Sequence, residues 1–250
     1  MIEVKNVYKS YDGNYVLNDV TGRFEQGKCN LIIGRSGSGK TVLLKSIVGL
    51  IEIDEGEIWY DQQKFSHIDI GERQKLRKQT GMLFQGAALF DSLTVEENVM
   101  FPLNMLTSQS KGDKLERVNF CLERVKVGGT NALFPSELSG GMKKRVAIAR
   151  AIALNPRYLF CDEPNSGLDP ETGIVIDNLI KELTEEFGMT TIVNTHDMNS
   201  VLEIGDNVVF IYQGCKCWEG TRKEILHTEN EALNNFVFAT NLARQIKLNS

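Results

Sequence analysis

Hydrophobic and polar positions alternate along this chain in a way that predicts strands and helices in turn. Short apolar runs bounded by turn residues predict strands, and apolar residues at three- and four-residue spacings predict helices. The predicted strands are residues 2–7, 16–24, 29–33, 80–84, 158–161, 190–194 and 207–212, and the predicted helices are residues 41–51, 171–187 and 198–204. Because strands and helices follow one another, we expect a mostly parallel sheet.

A different pattern, helical throughout, occupies about residues 92–153. Leu115, Val118, Leu122 and Val125 fall on one stripe of a helix. This stretch predicts an inserted helical subdomain. We therefore divide the chain into a main domain at residues 1–228, with the helical subdomain at about 92–153, and a C-terminal helical extension at residues 229–250.

The C-terminal extension carries an apolar group that is costly to leave in water. Its members are Phe236, Val237 and Phe238, followed by Leu242 and Ile246. We expect an extra helix that contacts a partner subunit or a regulator. Packing back on its own domain is an equal alternative.

Composition narrows the class of function. Of the 250 residues 42% are hydrophobic and 24% charged, and no stretch approaches the roughly 18 consecutive apolar residues that span a bilayer. The chain opens on a strand pattern without an export leader, and its five cysteines are scattered, so we expect a cytoplasmic protein without a disulfide framework. A net charge of −5 argues against a nucleic-acid partner, which requires a basic face. Any phosphate must therefore be bound by local geometry.

A glycine-rich loop between the third predicted strand and the first predicted helix is the strongest chemical signal. It matches the pattern GxxxxGK[ST] with Gly34, Arg35, Ser36, Gly37, Ser38, Gly39, Lys40 and Thr41. Glycines let successive N–H groups point at a phosphate, and the helix that begins near Lys40 adds the positive end of its dipole. We expect Lys40 to bridge the β- and γ-phosphates of ATP and Thr41 to coordinate Mg²⁺.

Two acids, Asp162 and Glu163, follow the predicted strand at residues 158–161. In a parallel sheet, ligands bind at the carboxyl ends of the strands, so both carboxylates are expected to face the phosphate loop. Asp162 would hold Mg²⁺ or its water, and Glu163 would activate the attacking water as a general base. The alternative is an exposed loop that happens to hold two acids.

A second phosphate-binding helix start occurs at Leu138-Ser139-Gly140-Gly141. Ser139 is a good N-cap, and the glycines after it leave N–H groups of the first turn exposed. The phosphate loop already serves one nucleotide in the same subunit. The sequence therefore suggests that Ser139, Gly140 and Gly141 act in trans, on the nucleotide of a partner.

Taken in order, these motifs resemble those of the ABC-type ATPase subunits. The resemblance covers residues 1 to about 225 and is carried by Leu138-Ser139-Gly140-Gly141, Asp162-Glu163-Pro164, Ser166-Gly167-Leu168-Asp169 and His196. It implies a P-loop NTPase core, which is an α/β fold with a mostly parallel sheet, an N-terminal antiparallel β-subdomain and the inserted helical subdomain. It also implies a head-to-tail homodimer with two ATP molecules at its interface, which drives separate integral-membrane permease subunits.

The resemblance implies further roles, residue by residue. Tyr11 resembles the aromatic residue that stacks on adenine, although two other tyrosines lie nearby in the sequence. Gln85 resembles the glutamine that contacts Mg²⁺ and the attacking water and links to the helical subdomain. His196 resembles the histidine that senses the γ-phosphate, and Asp169 resembles the aspartate that communicates across the dimer interface.

The sequence departs from the common family pattern at Met142, where glutamine is usual, and at Asn165, where threonine is common. Neither position holds an essential charge. Methionine in place of glutamine at 142 loses polar contacts near the ribose or the interface, which bears on nucleotide affinity rather than on hydrolysis. Met142 and residues 84–99 resemble the ATPase of Mla-type lipid transport systems, which work with MCE-domain proteins. This narrower resemblance implies movement of phospholipid or a related lipid between bacterial membranes, with the ATPase on the cytoplasmic face of the inner membrane.

Three functions compete at this point. The first is a transport ATPase that docks beneath a permease through residues 86–106, where Leu89, Phe90, Leu93 and Phe101 offer apolar groups; the alternative is that these residues pack the core of the subdomain. The second is an ABC ATPase of translation or DNA repair, but the tandem cassettes or long coiled coil usual in those proteins are absent here. The third is an ABC subunit that signals to cell-wall remodelling factors at division, which the sequence excludes less firmly.

Overall fold

The structure is a computed structural model that describes residues 1–66 and 68–238. The predictions for Leu242 and Ile246, and for the rest of the C-terminal extension beyond Phe238, lie outside the described residues. The fold is α/β, as the sequence predicted, and it is built on two sheets.

The N-terminal sheet is antiparallel. Its strands are β1 (Ile2–Tyr11), β2 (Asn14–Phe24), β4 (Glu55–Tyr60) and β5 (Gln63–Lys64). They lie in the order β2-β1-β4-β5, and the turn between β1 and β2 holds Asp12 and Gly13 at φ values of 49° and 77°. The expected N-terminal β-subdomain is therefore present. The sequence did not predict β4 and β5, because glutamates and a glycine interrupt the apolar pattern of β4, and β5 is too short to show one.

The central sheet is the mostly parallel sheet that the sequence predicted. Its strands are β3 (Cys29–Ile33), β6 (Thr80–Leu83), β7 (Tyr158–Asp162), β8 (Thr190–Thr195), β9 (Asn207–Tyr212) and β10 (Cys215–Gly220). They lie in the order β10-β9-β3-β8-β7-β6, and every neighbouring pair is parallel except the β9–β10 hairpin. The sequence did not predict β10, because this edge strand is only half-buried and lacks an apolar run.

Helices cover the central sheet. They are α1 (Lys40–Val48), α2 (Ile70–Arg77), α3 (Val95–Leu106), α4 (Lys111–Arg124), α5 (Gly140–Ile152), α6 (Pro170–Phe187), α7 (Met198–Ile204) and α8 (Glu231–Val237). The predicted end of α1 at residue 51 is wrong, because Gly49 adopts a left-handed conformation (φ 78°) and its N–H donates to the carbonyls of Lys45 and Ser46. The sequence also missed α2, whose residues are mostly polar and charged.

Two apolar cores lie on opposite faces of the central sheet. Leu31 and Ile33 of β3 join the core beneath α3 to α6, whereas Ile32 joins the core shared with α1 and the N-terminal sheet. On the side of the first core, α3, α4 and α5 pack against one another. These three helices lie between β6 and β7 in the sequence. Both faces are covered, so the parallel strands read as apolar runs and their polar residues gather at the carboxyl ends. Within the part of the chain that the structure describes, no helix has the length and apolarity needed to cross a membrane.

Candidate nucleotide-binding site

The glycine-rich loop connects β3 to α1, and its backbone requires glycine at several points. Gly34, Gly37 and Gly39 have φ values of 151°, 77° and 105°. A Cβ on Gly34 would lie 2.2 Å from the carbonyl oxygen of Ile211, and one on Gly39 would lie 2.6 Å from that of Val16. Gly34 and Gly39 therefore let the loop pass close to neighbouring backbone, and the loop leads directly into the N–H groups at the start of α1.

Lys40 folds back over this loop. Its Nζ donates hydrogen bonds to the carbonyl oxygens of Gly34 at 2.9 Å and Arg35 at 3.0 Å, and the residue is only 5% exposed. Burial lowers the pKa of Lys40, and the fields of Glu163 and Asp162 act in the opposite direction. The loop therefore holds a sequestered cation next to its N–H groups, which is the arrangement that a phosphate chain requires.

Thr41, at the start of α1, and Asp162, at the end of β7, lie close together although they are far apart in the sequence. The Thr41 hydroxyl lies 3.4 Å from Asp162 Oδ1, and the Asn194 amide donates to both, at 3.1 Å to Thr41 Oγ1 and 2.6 Å to Asp162 Oδ1. A hydroxyl and a carboxylate are the hard oxygen ligands that Mg²⁺ prefers, and Mg²⁺ commonly takes only one or two carboxylates together with substrate phosphates. This pair therefore fits Mg²⁺ bound with a nucleotide. Within residues 1–66 and 68–238 no cluster of three or more His, Cys, Asp or Glu forms a metal site by itself.

The side chains of Glu163 and His196 meet beside that cluster. His196 Nδ1 lies 2.8 Å from Glu163 Oε2, and the histidine side chain is 65% exposed while the glutamate is 14% exposed. Glu163 has a φ of 48°, a left-handed conformation that is uncommon for a residue with a Cβ, and its N–H is held by the Asn194 carbonyl at 2.9 Å. Strained residues of this kind cluster at functional sites. The backbone of Glu163 is thus held by Asn194, and its carboxylate contacts the imidazole of His196.

Gln85 lies on the same side, after β6. Its Nε2 donates to Ser166 Oγ at 3.1 Å rather than to the Thr41–Asp162 pair, so the structure places it beside the site without a direct bond to the metal-binding oxygens.

Lys144 of α5 donates hydrogen bonds from its Nζ to the carbonyl oxygens of Gln85 and of Glu163, the latter at 3.4 Å. Burial lowers the pKa of Lys144. Sequence reasoning missed Lys144. The signal that could have found it is a lysine within a helix face that is otherwise apolar.

Most of the predicted groups border one cavity of about 340 Å³. Its lining includes Ser36, Gly37, Gly39, Lys40, Thr41, Gln85, Glu163 and His196 from the predicted set, whereas Gly34, Arg35 and Asp162 are not part of the wall. Tyr11 does not line it: the ring is 46% exposed at the β1–β2 turn, with Lys9 Nζ 5.3 Å from its centroid. Val16, which the sequence did not indicate, is the residue of that hairpin in the cavity wall.

The Ser139 segment lies outside the cavity wall. Ser139 caps α5 by accepting from the Met142 N–H at 3.3 Å, and a Cβ on Gly141 would come within 2.7 Å of Thr172. Asp169 caps α6 by accepting from Thr172 Oγ1 at 2.6 Å and from its N–H at 2.9 Å, and these bonds hold the pKa of Asp169 below its usual value. The starts of α5 and α6 therefore adjoin each other, with Ser139 and Gly140 exposed at the first and Asp169, Pro170 and Glu171 exposed at the second.

Comparison with known proteins agrees with this geometry. The sequence pattern of the ABC transporter family matches residues 17–166. The chain is 39% identical to the intermembrane phospholipid transport system ATP-binding protein MlaF of Haemophilus influenzae, over 95% of this chain and 90% of that protein. It is 34% identical to a probable ribonucleotide transport ATP-binding protein, mkl, of Mycobacterium leprae (94% and 68% covered), and 37% identical to the methionine import ATP-binding protein MetN of Campylobacter jejuni (95% and 75% covered).

Solved structures give the same picture. The dimeric ATP-binding cassette MJ0796, in a post-hydrolysis state bound to ADP and Pi, superposes with a TM-score of 0.81 at 35% identity and covers 89% of this chain and 99% of its own. The structure of cbiO1 from Clostridium perfringens, part of the ABC transporter complex cbiONQ, gives a TM-score of 0.85 at 28% identity, with 98% of both chains covered.

Proposed function

We propose that this chain, which belongs to the ABC transporter family as an ATP-binding subunit that hydrolyses ATP, energises the movement of phospholipid between bacterial membranes. It would act as a homodimer on the cytoplasmic face of the inner membrane, beneath integral permease subunits, and together with an MCE-domain protein. The observation that carries the ATPase chemistry is a cavity wall that holds Lys40, Thr41, Glu163 and His196, with Asp162 Oδ1 3.4 Å from the Thr41 hydroxyl.

In this proposal the groups of the site divide the work of binding and hydrolysis among them. The N–H groups of residues 34–41 and the Lys40 ammonium hold the β- and γ-phosphates. Thr41 and Asp162, with Gln85 nearby, hold Mg²⁺, which neutralises phosphate charge when it is bound. Glu163 accepts the proton of the attacking water, and His196, 2.8 Å from Oε2, orients that carboxylate and senses the γ-phosphate.

The dimer is proposed to complete each site in trans. Ser139 and Gly140 are exposed at the start of α5, Gly141 is partly exposed, and Asp169 lies beside them, yet none of these residues lines the cavity of its own subunit. A helix N-terminus binds phosphate through unpaired N–H groups, so the natural ligand for this one is the nucleotide of a second copy. The dimeric form of the related cassette MJ0796 supports this arrangement. Tyr11 is proposed to stack on the adenine.

Phospholipid is favoured as the transported substrate by the extent of the likeness. This chain spans 90% of the phospholipid transport protein at 39% identity, whereas it spans 75% of the methionine import protein at 37%. The main domain at 1–228 would then account for nearly the whole of such a subunit. Methionine or another small solute is the competing cargo, because the identities are so close.

The proposed permease contact is the exposed part of residues 86–106. Phe90 and Phe101 are 43% and 39% exposed, lie 4.8 Å apart between ring centroids, and border an open groove with Leu106. Leu89, by contrast, packs against the subdomain core, which is the alternative use that the sequence left open. The apolar groups that this segment offers to a partner are thus Phe90 and Phe101 together with the exposed Met105 and Leu106.

The first experiment is affinity purification of the Glu163→Gln chain from its native membranes, with identification of the proteins and lipids that accompany it. A permease, an MCE-domain protein and phospholipid are the expected companions. Recovery of a methionine-binding protein instead would mean that the cargo is methionine. Recovery of cell-division factors or ribosomes would overturn the transport role and leave the ATPase chemistry intact.

A matched pair of variants tests the contact surface. Phe101→Ala should lose the permease and keep ATP binding, whereas Phe120→Ala should keep both, because Phe120 is a similarly exposed ring (41%) on α4, outside the groove. Equal recovery of permease by the two variants would contradict the proposed surface.

A further inference from the structure

Asn194 is a buried polar residue at the end of β8 with no role in the sequence pattern described above. It is 0% exposed. β8 lies between β3, which leads into the phosphate loop, and β7, which leads to Asp162. A buried amide requires partners, because an unpaired polar group costs free energy in the interior.

The partners of Asn194 are the functional groups themselves. Its Nδ2 donates to Asp162 Oδ1 at 2.6 Å and to Thr41 Oγ1 at 3.1 Å, and its backbone carbonyl accepts from the Glu163 N–H at 2.9 Å. The orientation of the amide is fixed by chemistry, because the opposite orientation would set two acceptor oxygens 2.6 Å apart. One residue therefore contacts the start of α1, the acid at the end of β7 and the turn of the general base.

These bonds determine how the Thr41 hydroxyl is used. The hydroxyl has one proton and two lone pairs. It accepts from Asn194 on one lone pair and directs its proton towards Asp162 Oδ1, 3.4 Å away, so the second lone pair remains for a cation.

We propose that Asn194 is a positioning residue that holds the Thr41 hydroxyl and the Asp162 carboxylate in the geometry that binds Mg²⁺ together with ATP. This inference rests on the proposed nucleotide chemistry of the site. Loss of a hydrogen-bond partner behind a metal ligand typically weakens metal affinity about 10- to 100-fold. The substitution should therefore change the Mg²⁺ requirement and spare the contacts that the loop and Lys40 make with phosphate.

The test is a Mg²⁺ titration of nucleotide binding with the full chain. Asn194→Leu keeps the approximate size and removes the donor, and Asn194→Ala serves if the leucine variant does not fold. Binding of a non-hydrolysable fluorescent ATP analogue is measured in EDTA and at increasing Mg²⁺. We expect the affinity in EDTA to stay within about twofold of the wild type, and the Mg²⁺ concentration for half-maximal enhancement to rise about 10- to 100-fold.

The control is Thr191→Val, a buried residue of the same strand whose hydroxyl contacts Thr184 at 2.6 Å, away from the site. This variant should titrate like the wild type. An unchanged Mg²⁺ requirement in the Asn194 variants would overturn the inference, as would a loss of binding in EDTA with the Mg²⁺ enhancement unchanged. A wild-type chain without Mg²⁺-enhanced binding would instead overturn the proposed site chemistry, and the inference with it.

Discussion

A buried carboxylate in α6 makes the stability of this protein depend on pH in a calculable way. Asp177 is 2% exposed, and its Oδ2 accepts from Asn165 Nδ2 at 2.8 Å. Burial raises the pKa of Asp177 from 3.8 to about 6. Hydrogen bonds from Ser200 and Asn165 act against this rise, and the nearby charges of Asp197 and Glu203 add to it.

The sign of the effect follows from where the proton binds more tightly. Because the folded chain holds the Asp177 proton up to about pH 6 and the unfolded chain releases it near pH 3.8, the folded state is favoured by that proton at low pH. The benefit is complete below pH 3.8 and is lost as the pH rises through about 6. At about 1.4 kcal/mol for each pH unit between the two values, the loss amounts to about 3 kcal/mol at neutral pH.

Asp177→Asn removes this titration. We expect the free energy of unfolding of the variant, relative to the wild type, to rise by about 3 kcal/mol between pH 4 and pH 7, because the neutral amide never has to bear a buried charge. Urea unfolding of the nucleotide-free chains, followed by circular dichroism at several pH values, measures the difference.

The control for this experiment is Asp91→Asn, which changes an exposed aspartate and should follow the wild-type curve throughout. Parallel curves for Asp177→Asn and the wild type from pH 4 to pH 7 would refute the reasoning, since they would mean that the carboxylate is not held in a low-dielectric environment.

Other predictions concern the site. Lys40→Ala should abolish ATP binding in equilibrium titrations, because it removes the sequestered cation of the loop, whereas Glu163→Gln should bind ATP and release no phosphate; normal hydrolysis by either variant would contradict the assignment. Ser139→Ala should lower steady-state hydrolysis and leave ATP binding by the isolated subunit nearly unchanged, and a matching loss of binding would speak against action in trans. Gly39→Ala should cost about 2–3 kcal/mol in urea unfolding, because a Cβ there lies 2.6 Å from a backbone oxygen at φ 105°, whereas Gly37→Ala, with open space around it, should cost about 1 kcal/mol.

The parts of the site that the sequence predicted are those fixed by topology. Parallel strands end at one edge of a sheet, so a phosphate loop after β3 and acids after β7 had to approach each other. The chemistry of the local motifs then indicated Lys40, Thr41 and Asp162, and the family resemblance added His196. The central sheet was predicted for the same reason, since its buried strands carry apolar runs that a single sequence reveals.

The parts that the sequence missed depend on distant partners. Asn194 and Lys144 are polar residues within buried elements, and only their contacts across the fold, such as Asn194 with Thr41 153 positions away, distinguish them from any surface residue. The strands β4 and β10 carry charges or half-buried residues, so their formation depends on pairing with β1 and β9 rather than on their own pattern.

The strand order of the central sheet has a consequence for how the protein is made. β3 lies between β8 and β9, which leave the ribosome roughly 160 and 175 residues later, on the order of 8–35 s at synthesis rates of about 5–20 residues per second. During that interval an apolar strand has neither of its final neighbours, and unpaired strand edges of this kind promote aggregation. We therefore expect the nascent chain to require chaperone protection until β9 has emerged, and the phosphate loop to be among the last parts of the molecule to acquire its final shape.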